Sequence, residues 1–489
     1  MELKEQLFGI IKSLEGFTPE IFLSAAFILL IIAELILYKF HSKNISQFWL
    51  YGLTLAILAL SFHQVTEQFY NTSDGFLFHE MLFLDAKAIF FKCLVSMAAI
   101  ILLAHSWVLK KSFPGEFFPI LTGILIGLYL MTMSVNLIMI YLSIEIVSIG
   151  SYIFTAINRD KTGSEGGLKY IIFGAASSAI MLYGMSLLYG ITGTLSIVSP
   201  DFSRNLAQVD NITFLVAATL TLSGFLFKLS ATPFHIWTPD VYESAPTPIV
   251  AFFSIAPKAA SFLIAMRFLE ALPAKFQLLM AVIALATITI GNFSALWQQN
   301  AKRMLAYSTI AHSGFMLIGL VTLSELGIKS IVFYMVTYLF ANFAAFLLLD
   351  IADASTGNNG NLKIFRGLGL KNPFYGILLV IVMISLTGLP PTAGFFAKLN
   401  IFSALWESYQ TSQNQILLWL FIFGLFNTVV SLFFYLKIPF VLFFKKGEVS
   451  ENNPFKITFE QQFLAIILVL PILLLFFKAD LLMNLIALL

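Results

Sequence analysis

Apolar runs of about 20 residues, separated by short polar breaks, recur from Ile21 to the C-terminus. Each run is long enough for a helix rising 1.5 Å per residue to cross ~30 Å of hydrocarbon. About 14 spanning helices are expected on this pattern. Their centres lie near Leu29, Leu55, Met97, Ile126, Ile146, Ile180, Leu222, Phe262, Ala286, Gly314, Leu339, Met383, Gly424 and Val469. Polar connectors HSKN (41–44), KKSFPGE (110–116), NRDKTGSEGG (158–167) and NAKR (300–303) punctuate them. The longest connectors are expected at 60–80, 352–373 and 445–460, and STGNNGN (355–361) reads as a flexible surface loop. The pattern predicts an all-α polytopic membrane protein.

Composition agrees. Of 489 residues, 59% are hydrophobic and 11% charged, with a mean hydropathy of +0.90. Soluble domains average about 25% charged residues. No long polar segment is left to form a separate soluble domain. The net charge of +2, with no basic cluster interleaved with aromatics, points away from nucleic acid and leaves the lipid bilayer as the first partner. The single cysteine, Cys93, forms no internal disulfide. MELKEQLFGIIKSLEG mixes both signs of charge, so no cleaved secretory signal is expected. Connectors after the odd-numbered spans hold 15 Lys and Arg against 7 on the other side. By the positive-inside rule both termini are expected on the non-cytoplasmic side.

Two spans are interrupted. In FKLSATPFHIWTPDVYESAPTP (227–248) prolines fall at 233, 239, 246 and 248, and in SLTGLPPTAGFFAKL (385–399) a Pro-Pro pair follows Gly388. Proline removes a backbone donor and clashes with the preceding turn, so each helix breaks there. Broken backbone at membrane depth is tolerated inside protein or along a watery cavity, and paired breaks mark transport sites. Gly-Phe-x-x-Lys-Leu occurs in both spans, at 224–229 and 394–399. Aligning the two through their lysines and through their prolines gives different registers, because Lys228 precedes its proline and Lys398 follows.

Ionisable residues are stranded in these apolar runs: Glu145, Lys228, Lys258 (after Pro257, near mid-helix) and Lys398. A charge at the bilayer centre costs roughly 2.5–3.5 kcal/mol on insertion scales, so such residues point to an ion path. A lysine in low dielectric loses proton affinity, and a carboxylate brought close restores it. Glu145 moving relative to Lys228 would therefore switch the lysine between holding and releasing a proton. His235 and His312 add imidazoles suited to passing protons both ways. Lys169 stands where a helix opens at the cytoplasmic boundary, and Lys437 near a cytoplasmic end. Plainer readings stay open for each: Glu145 satisfying backbone, the lysines snorkelling to an interface, the histidines hydrogen-bonded for structure.

No G-x-G-x-x-G, Walker A, cysteine cluster or metal-spaced His and carboxylate set occurs, so flavin, nucleotide, haem and iron–sulfur centres are not expected in this chain. Its energy source is expected to be an ion gradient or partner subunits.

Longer stretches carry a family resemblance. KLSATPFHIWTPDVYESAPTPIVAFFSIAPKAASF (228–262), LSIEIVSIGSYIFTA (142–156), SEGGLKYIIFGAASSAIMLYGMSLLYGITGT (164–194), NAKRMLAYSTIAHSGFMLIGL (300–320) and SLTGLPPTAGFFAKLNIF (385–402) cover most of 140–405. Together they resemble the antiporter-like membrane subunits of the proton-pumping NADH:quinone oxidoreductase, respiratory complex I. WTPDVYE resembles the subunit-N branch more than M or L, and the lateral helix expected of the L branch has no counterpart after the last span.

The resemblance implies 14 helices with two inverted five-helix repeats, each containing a broken helix. On this chain that becomes N-terminal helices (1–115), a first repeat (116–270), a second (271–445) and a C-terminal helix (446–489). It implies that Glu145 is the carboxylate of helix 5, Lys228 its partner on broken helix 7, Lys258 the connecting lysine of helix 8 and Lys398 the terminal lysine of broken helix 12. Lys169, His235 and His312 fall at further polar axis positions. It also implies a bacterial inner-membrane complex whose NADH, FMN, iron–sulfur clusters and quinone are handled by other subunits. A cation/proton antiporter subunit working without NADH, and a structural scaffold whose charges only lock helices, are the competing readings.

Overall fold

In hydrocarbon a backbone finds hydrogen-bond partners only within its own helix, so uninterrupted apolar runs become helices. The computed structural model describes residues 2–40, 43–71, 74–273, 276–356, 360–445 and 455–489. Helices α1 (Glu2–Glu15), α2 (Thr18–Phe40) and α3 (Lys43–Asn71) precede an antiparallel hairpin of β1 (Gly75–Leu77) and β2 (Leu82–Leu84). Next come α4 (Ala86–Val108), α5 (Phe117–Met133), α6 (Leu137–Thr155), α7 (Lys161–Thr192), α8 (Pro200–Gln208) and α9 (Asn211–Leu229). After the first break follow α10 (Trp237–Ser244), α11 (Thr247–Phe253), α12 (Ala256–Glu270), α13 (Gln277–Leu296), α14 (Ala301–Val321) and α15 (Glu325–Thr356). The chain ends with α16 (Leu368–Lys371), α17 (Pro373–Thr387), α18 (Ala393–Ser412), α19 (Gln415–Phe444), α20 (Phe459–Phe477) and α21 (Asp480–Ile486).

Among the described residues 12 helical spans are long and apolar enough to cross a membrane, with Thr247–Glu270 counted as one, and α5 and α17 are shorter apolar helices. Every span centre expected from the hydrophobic pattern falls inside one of these helices. The connectors differ more. The expected loop over 60–80 is helix as far as Asn71, where His63 and Glu67 stand one turn apart at 3.5 Å, and the hairpin follows. The connector over 352–373 begins only after Thr356 and holds a 3-10 turn at Leu362–Phe365. Residues 357–359 of its glycine–asparagine loop lie outside the described residues, as do 446–454 of the last connector.

Short polar residues fix where the helices start, because their side chains satisfy orphan N–H groups of the first turn. Asp160 accepts from Gly163 N at 2.6 Å, Asn300 from Arg303 N at 3.2 Å, and Thr458 forms a capping box with Gln461. Lys169 therefore lies two turns inside α7 instead of opening it, since Asp160 sets the start at Lys161.

The chain divides into two compact units. Unit 1 comprises residues 1–103, 111–229 and 255–274; unit 2 comprises 104–110, 230–254 and 275–489. In unit 2, α10 packs on α14, where Arg303 reaches Asp240 at 2.7 Å and Glu243 at 2.8 Å. There α11 packs on α15, where Asn342 donates to Ser254.

In unit 1, α7 and α9 approach closely. Ser177 Oγ donates to Ser223 O at 2.9 Å and Ser223 Oγ to Ser177 O at 3.2 Å. The small face of α7 is thus used inside the unit, with Gly174 against the Tyr152 hydroxyl.

Candidate functional site

In unit 1 the charged axis starts on α6. Glu145 is half-buried, and its carboxylate accepts a hydrogen bond from Ser178 on α7. Lys228 is the penultimate residue of α9, 2% exposed, and its Nζ has no hydrogen-bond partner among the described residues. The ammonium stands 5.8 Å from the Tyr170 ring centroid, within the range of a cation–π contact. Tyr170 in turn meets Tyr152 edge-on at 4.8 Å. Glu145 is the charge whose field reaches Lys228. The two are therefore neighbours electrostatically without being an ion pair.

Lys258 is fully buried on α12, which packs on α9. It lies near the middle of the span Thr247–Glu270, where Pro257 occupies the first turn of α12, a position that needs no N–H, and so starts that helix. Lys169 takes another course: it pairs with Glu165 one turn back at 3.0 Å and is 40% exposed.

In unit 2 the second break places its lysine differently. Gly388 ends α17 at φ +87°, a left-handed conformation that glycine adopts without a Cβ penalty. The last carbonyls of any helix lack intrahelical donors and carry its negative dipole end. Lys398, on the second turn of α18 and 5% exposed, donates from Nζ to Thr387 O at 2.7 Å. Its ammonium also stands 4.5 Å from the Phe315 ring centroid.

His312, 4% exposed at mid-α14, bridges two tyrosines. Its Nδ1 is 2.7 Å from Tyr334 Oη and its Nε2 is 2.9 Å from Tyr435 Oη, while Tyr435 is also hydrogen-bonded to Ser308. A cavity of about 10 Å³ opens beside the imidazole, room for about one water. It is lined by Tyr334, Tyr338, Ser385, Gly394 and Ala397 among others, and so lies between His312 and the second break. His235 sits in the first break, half-buried, its Nδ1 3.5 Å from Thr232 Oγ1. Lys437 donates to Gln298 O at 3.0 Å, past the end of α13.

Within unit 1 the structure brings Glu145 and Lys228 into electrostatic reach; within unit 2 it gathers His312 and Lys398 around the second break. Sequence reasoning missed the hydroxyl partners Ser178, Tyr334 and Tyr435, which no spacing announces. It also missed the ion pairs Glu20–Lys92 (2.7 Å) and Arg267–Asp85 (2.6 Å) in unit 1, and the approach of the His105 imidazole to Asp350 (3.3 Å) in unit 2. Lys92 in IFFKCLV and Asp350 in FLLLDIAD carried the same signal that flagged Glu145, a charge inside an apolar run.

Helices broken beside buried lysines, in a many-span bundle, define an antiporter-like membrane protein. The model of the family described as NADH:quinone oxidoreductase/Mrp antiporter, transmembrane, matches residues 134–431, and the chain belongs to that family. It is 37% identical over 461 residues to NADH-quinone oxidoreductase subunit N of Chlorobium chlorochromatii, covering 90% of this chain and 88% of that one. Among solved structures it is similar to a chain of respiratory complex I from Thermus thermophilus, with a TM-score of 0.77 and 27% identity over 94% of this chain and 98% of that one. A chain of the Mrp complex from Dietzia sp. shares the fold, with a TM-score of 0.81, 18% identity and 96% coverage of both chains.

Proposed function

We propose that this chain is the proton-translocating subunit N of a bacterial NADH:quinone oxidoreductase. Redox chemistry runs in partner subunits that hold NADH, FMN, iron–sulfur clusters and quinone, and this chain moves protons in response. It sits in the inner membrane with both termini on the non-cytoplasmic side, and its two broken helices belong to two inverted five-helix repeats. The observation that carries the reading is Lys228: a buried lysine, at the end of a broken helix, with no hydrogen-bond partner among the described residues and with Glu145 in electrostatic reach.

A carboxylate that approaches an ammonium holds its proton, and one that withdraws lets it go. Ser178 holds Glu145 by a hydrogen bond, so breaking that bond is the step that would move the carboxylate closer to Lys228. Lys258, on the helix packed against α9, takes the proton onward. In unit 2, His312 and Lys398 form the corresponding relay, while Lys169 and His235 serve as outlying exchange positions.

The test uses inverted membrane vesicles carrying Lys228→Ala, with NADH oxidation and NADH-driven proton uptake recorded together and assembly checked on a native gel. Both are expected to fall at least about tenfold with the complex assembled, in line with removal of a proton-transfer group. Lost assembly would make Lys228 structural, and unchanged rates would sink the reading. Ion exchange that proceeds without NADH would assign the chain to the antiporters.

A further inference from the structure

Unit 1 holds another pair of opposite charges that is sealed from solvent and has no part in the relay above. Glu20 lies in the first turn of α2 and Lys92 in the second turn of α4. Glu20 Oε1 and Lys92 Nζ are 2.7 Å apart, and the two side chains are 1% and 0% exposed. The other carboxylate oxygen, Oε2, is buried with no hydrogen-bond partner among the described residues. The hairpin closes this end of the unit: Leu77 and Leu84 lie against Gly16, one turn ahead of Glu20.

Stability does not account for the pair. Desolvating two charges costs more than burying apolar side chains of the same volume, so a sealed ion pair is weak evidence of a structural role. Its surroundings are also polar beyond what a tie needs. Lys92 Nζ reaches Gln68 Oε1 at 3.5 Å, and Gln68 Nε2 donates to Gly16 O at 2.9 Å. The same ammonium stands 5.6 Å from the Tyr129 ring centroid. Tyr129 Oη lies 2.5 Å from Ser96 Oγ and 3.0 Å from Ser61 Oγ, so a chain of hydroxyls runs alongside the charges.

The chemistry available is a single proton shift. Moving one proton from Lys92 Nζ to Glu20 Oε1 breaks an N–H bond, forms an O–H bond and cancels both charges, with no co-reactant. Oε2 remains as an open acceptor for a proton arriving from elsewhere. We propose that Glu20 and Lys92 form a further proton-exchanging pair of this subunit, working beside the Tyr129–Ser96–Ser61 hydroxyls. The inference rests on the proton-translocation reading.

The test separates exchange from tethering in the assembled complex. Lys92→Arg keeps the positive charge and the ion pair, but a guanidinium does not give up its proton. The double variant Glu20→Gln with Lys92→Met removes both charges and leaves neither unpaired. Each is assayed in inverted vesicles for assembly, NADH oxidation and NADH-driven proton uptake, beside Lys228→Ala. The expected result is normal assembly with proton uptake at least threefold below wild type in both. If either variant assembles and pumps at the native rate, the pair is a tether and the inference falls. If Lys92→Arg alone fails to assemble, the double variant decides; if neither assembles, the pair is structural and the inference falls as well. Native pumping in the Lys92 variants with a loss in Lys228→Ala overturns this inference alone. Native pumping in Lys228→Ala overturns the parent reading and this inference with it.

Discussion

The two broken helices solve the same problem in opposite ways. Each break contains one cis proline bond, Thr232–Pro233 in the first and Pro390–Pro391 in the second. Lys228 comes before its break, on the helix that ends there, and finds no hydrogen-bond partner among the described residues. Lys398 comes after its break, on the helix that starts there, and returns to cover Thr387 O of the helix it left. The shared Gly-Phe-x-x-Lys-Leu letters therefore do not mark equivalent positions, and of the two registers the one drawn through the prolines fits the breaks. One lysine is held by a helix end; the other is held only by its surroundings. A partnered lysine adds to the stability of its break, whereas an unpartnered one costs desolvation.

The largest expected effects break this comparison at the lysines. Lys398→Met and Lys228→Met are each expected to lower NADH-driven proton uptake by about tenfold or more. Their effects on stability should differ. Lys398→Met leaves the buried Thr387 carbonyl without its donor, at about 1–3 kcal/mol. Lys228→Met loses no hydrogen bond and relieves a buried charge, so it is expected to leave stability unchanged or raise it. Thermal inactivation of the assembled complex is the readout, and equal losses in the two variants would erase the distinction.

Gly388→Ala ranks next. The position has φ +87°, and an added Cβ would stand 2.6 Å from Lys398 Cδ. Left-handed backbone costs a residue with a Cβ about 1–2 kcal/mol, and the lysine must also move away from Thr387 O. Proton uptake is expected to fall by about fivefold, ~1 kcal/mol of barrier. Native uptake in this variant would show that Lys398 works without its helix-end contact.

Glu145→Gln is milder still. An amide oxygen still accepts from Ser178, and only the charge felt by Lys228 is removed. A fall of about threefold, ~0.6 kcal/mol of barrier, is expected. A loss as large as that of either lysine would make the carboxylate's charge indispensable.

The sequence displays some of this and hides the rest for physical reasons. Span positions were legible because an apolar run of membrane length has only one stable use, a helix, and Met383 and Gly424 fall in α17 and α19 as expected. The breaks were legible because proline acts through local backbone chemistry. Partners were not. Whether Lys228 meets Glu145 directly or through space depends on how α7 lies between α6 and α9, which small residues such as Gly184 and Gly224 set by close approach. Lys398 and Thr387 are 11 residues apart, yet only the left-handed turn at Gly388 brings the chain back to join them. Lys92 shows a different limit: its apolar setting was visible, but its partner Glu20 sits at a helix start, where a carboxylate needs no special explanation.

Ser230 gives the smallest expected effect and the sharpest view of the first break. It follows α9 directly, at φ +57°, fully buried, with a hydroxyl that has no hydrogen-bond partner among the described residues. Ser230→Gly removes about 1–2 kcal/mol of left-handed strain and an unsatisfied polar group. Against this stands roughly 0.5–1 kcal/mol of extra backbone entropy in the unfolded chain. The balance favours the variant by about 0.5–1 kcal/mol. Because no bond to Lys228 is involved, proton uptake is expected to stay at the native level while thermal inactivation shifts upward. The second break offers no such gain, since Gly388 already occupies its left-handed position. If uptake instead falls with Ser230→Gly, the Ser230 hydroxyl takes part in transfer, and Lys228 is partnered during turnover much as Lys398 is at rest.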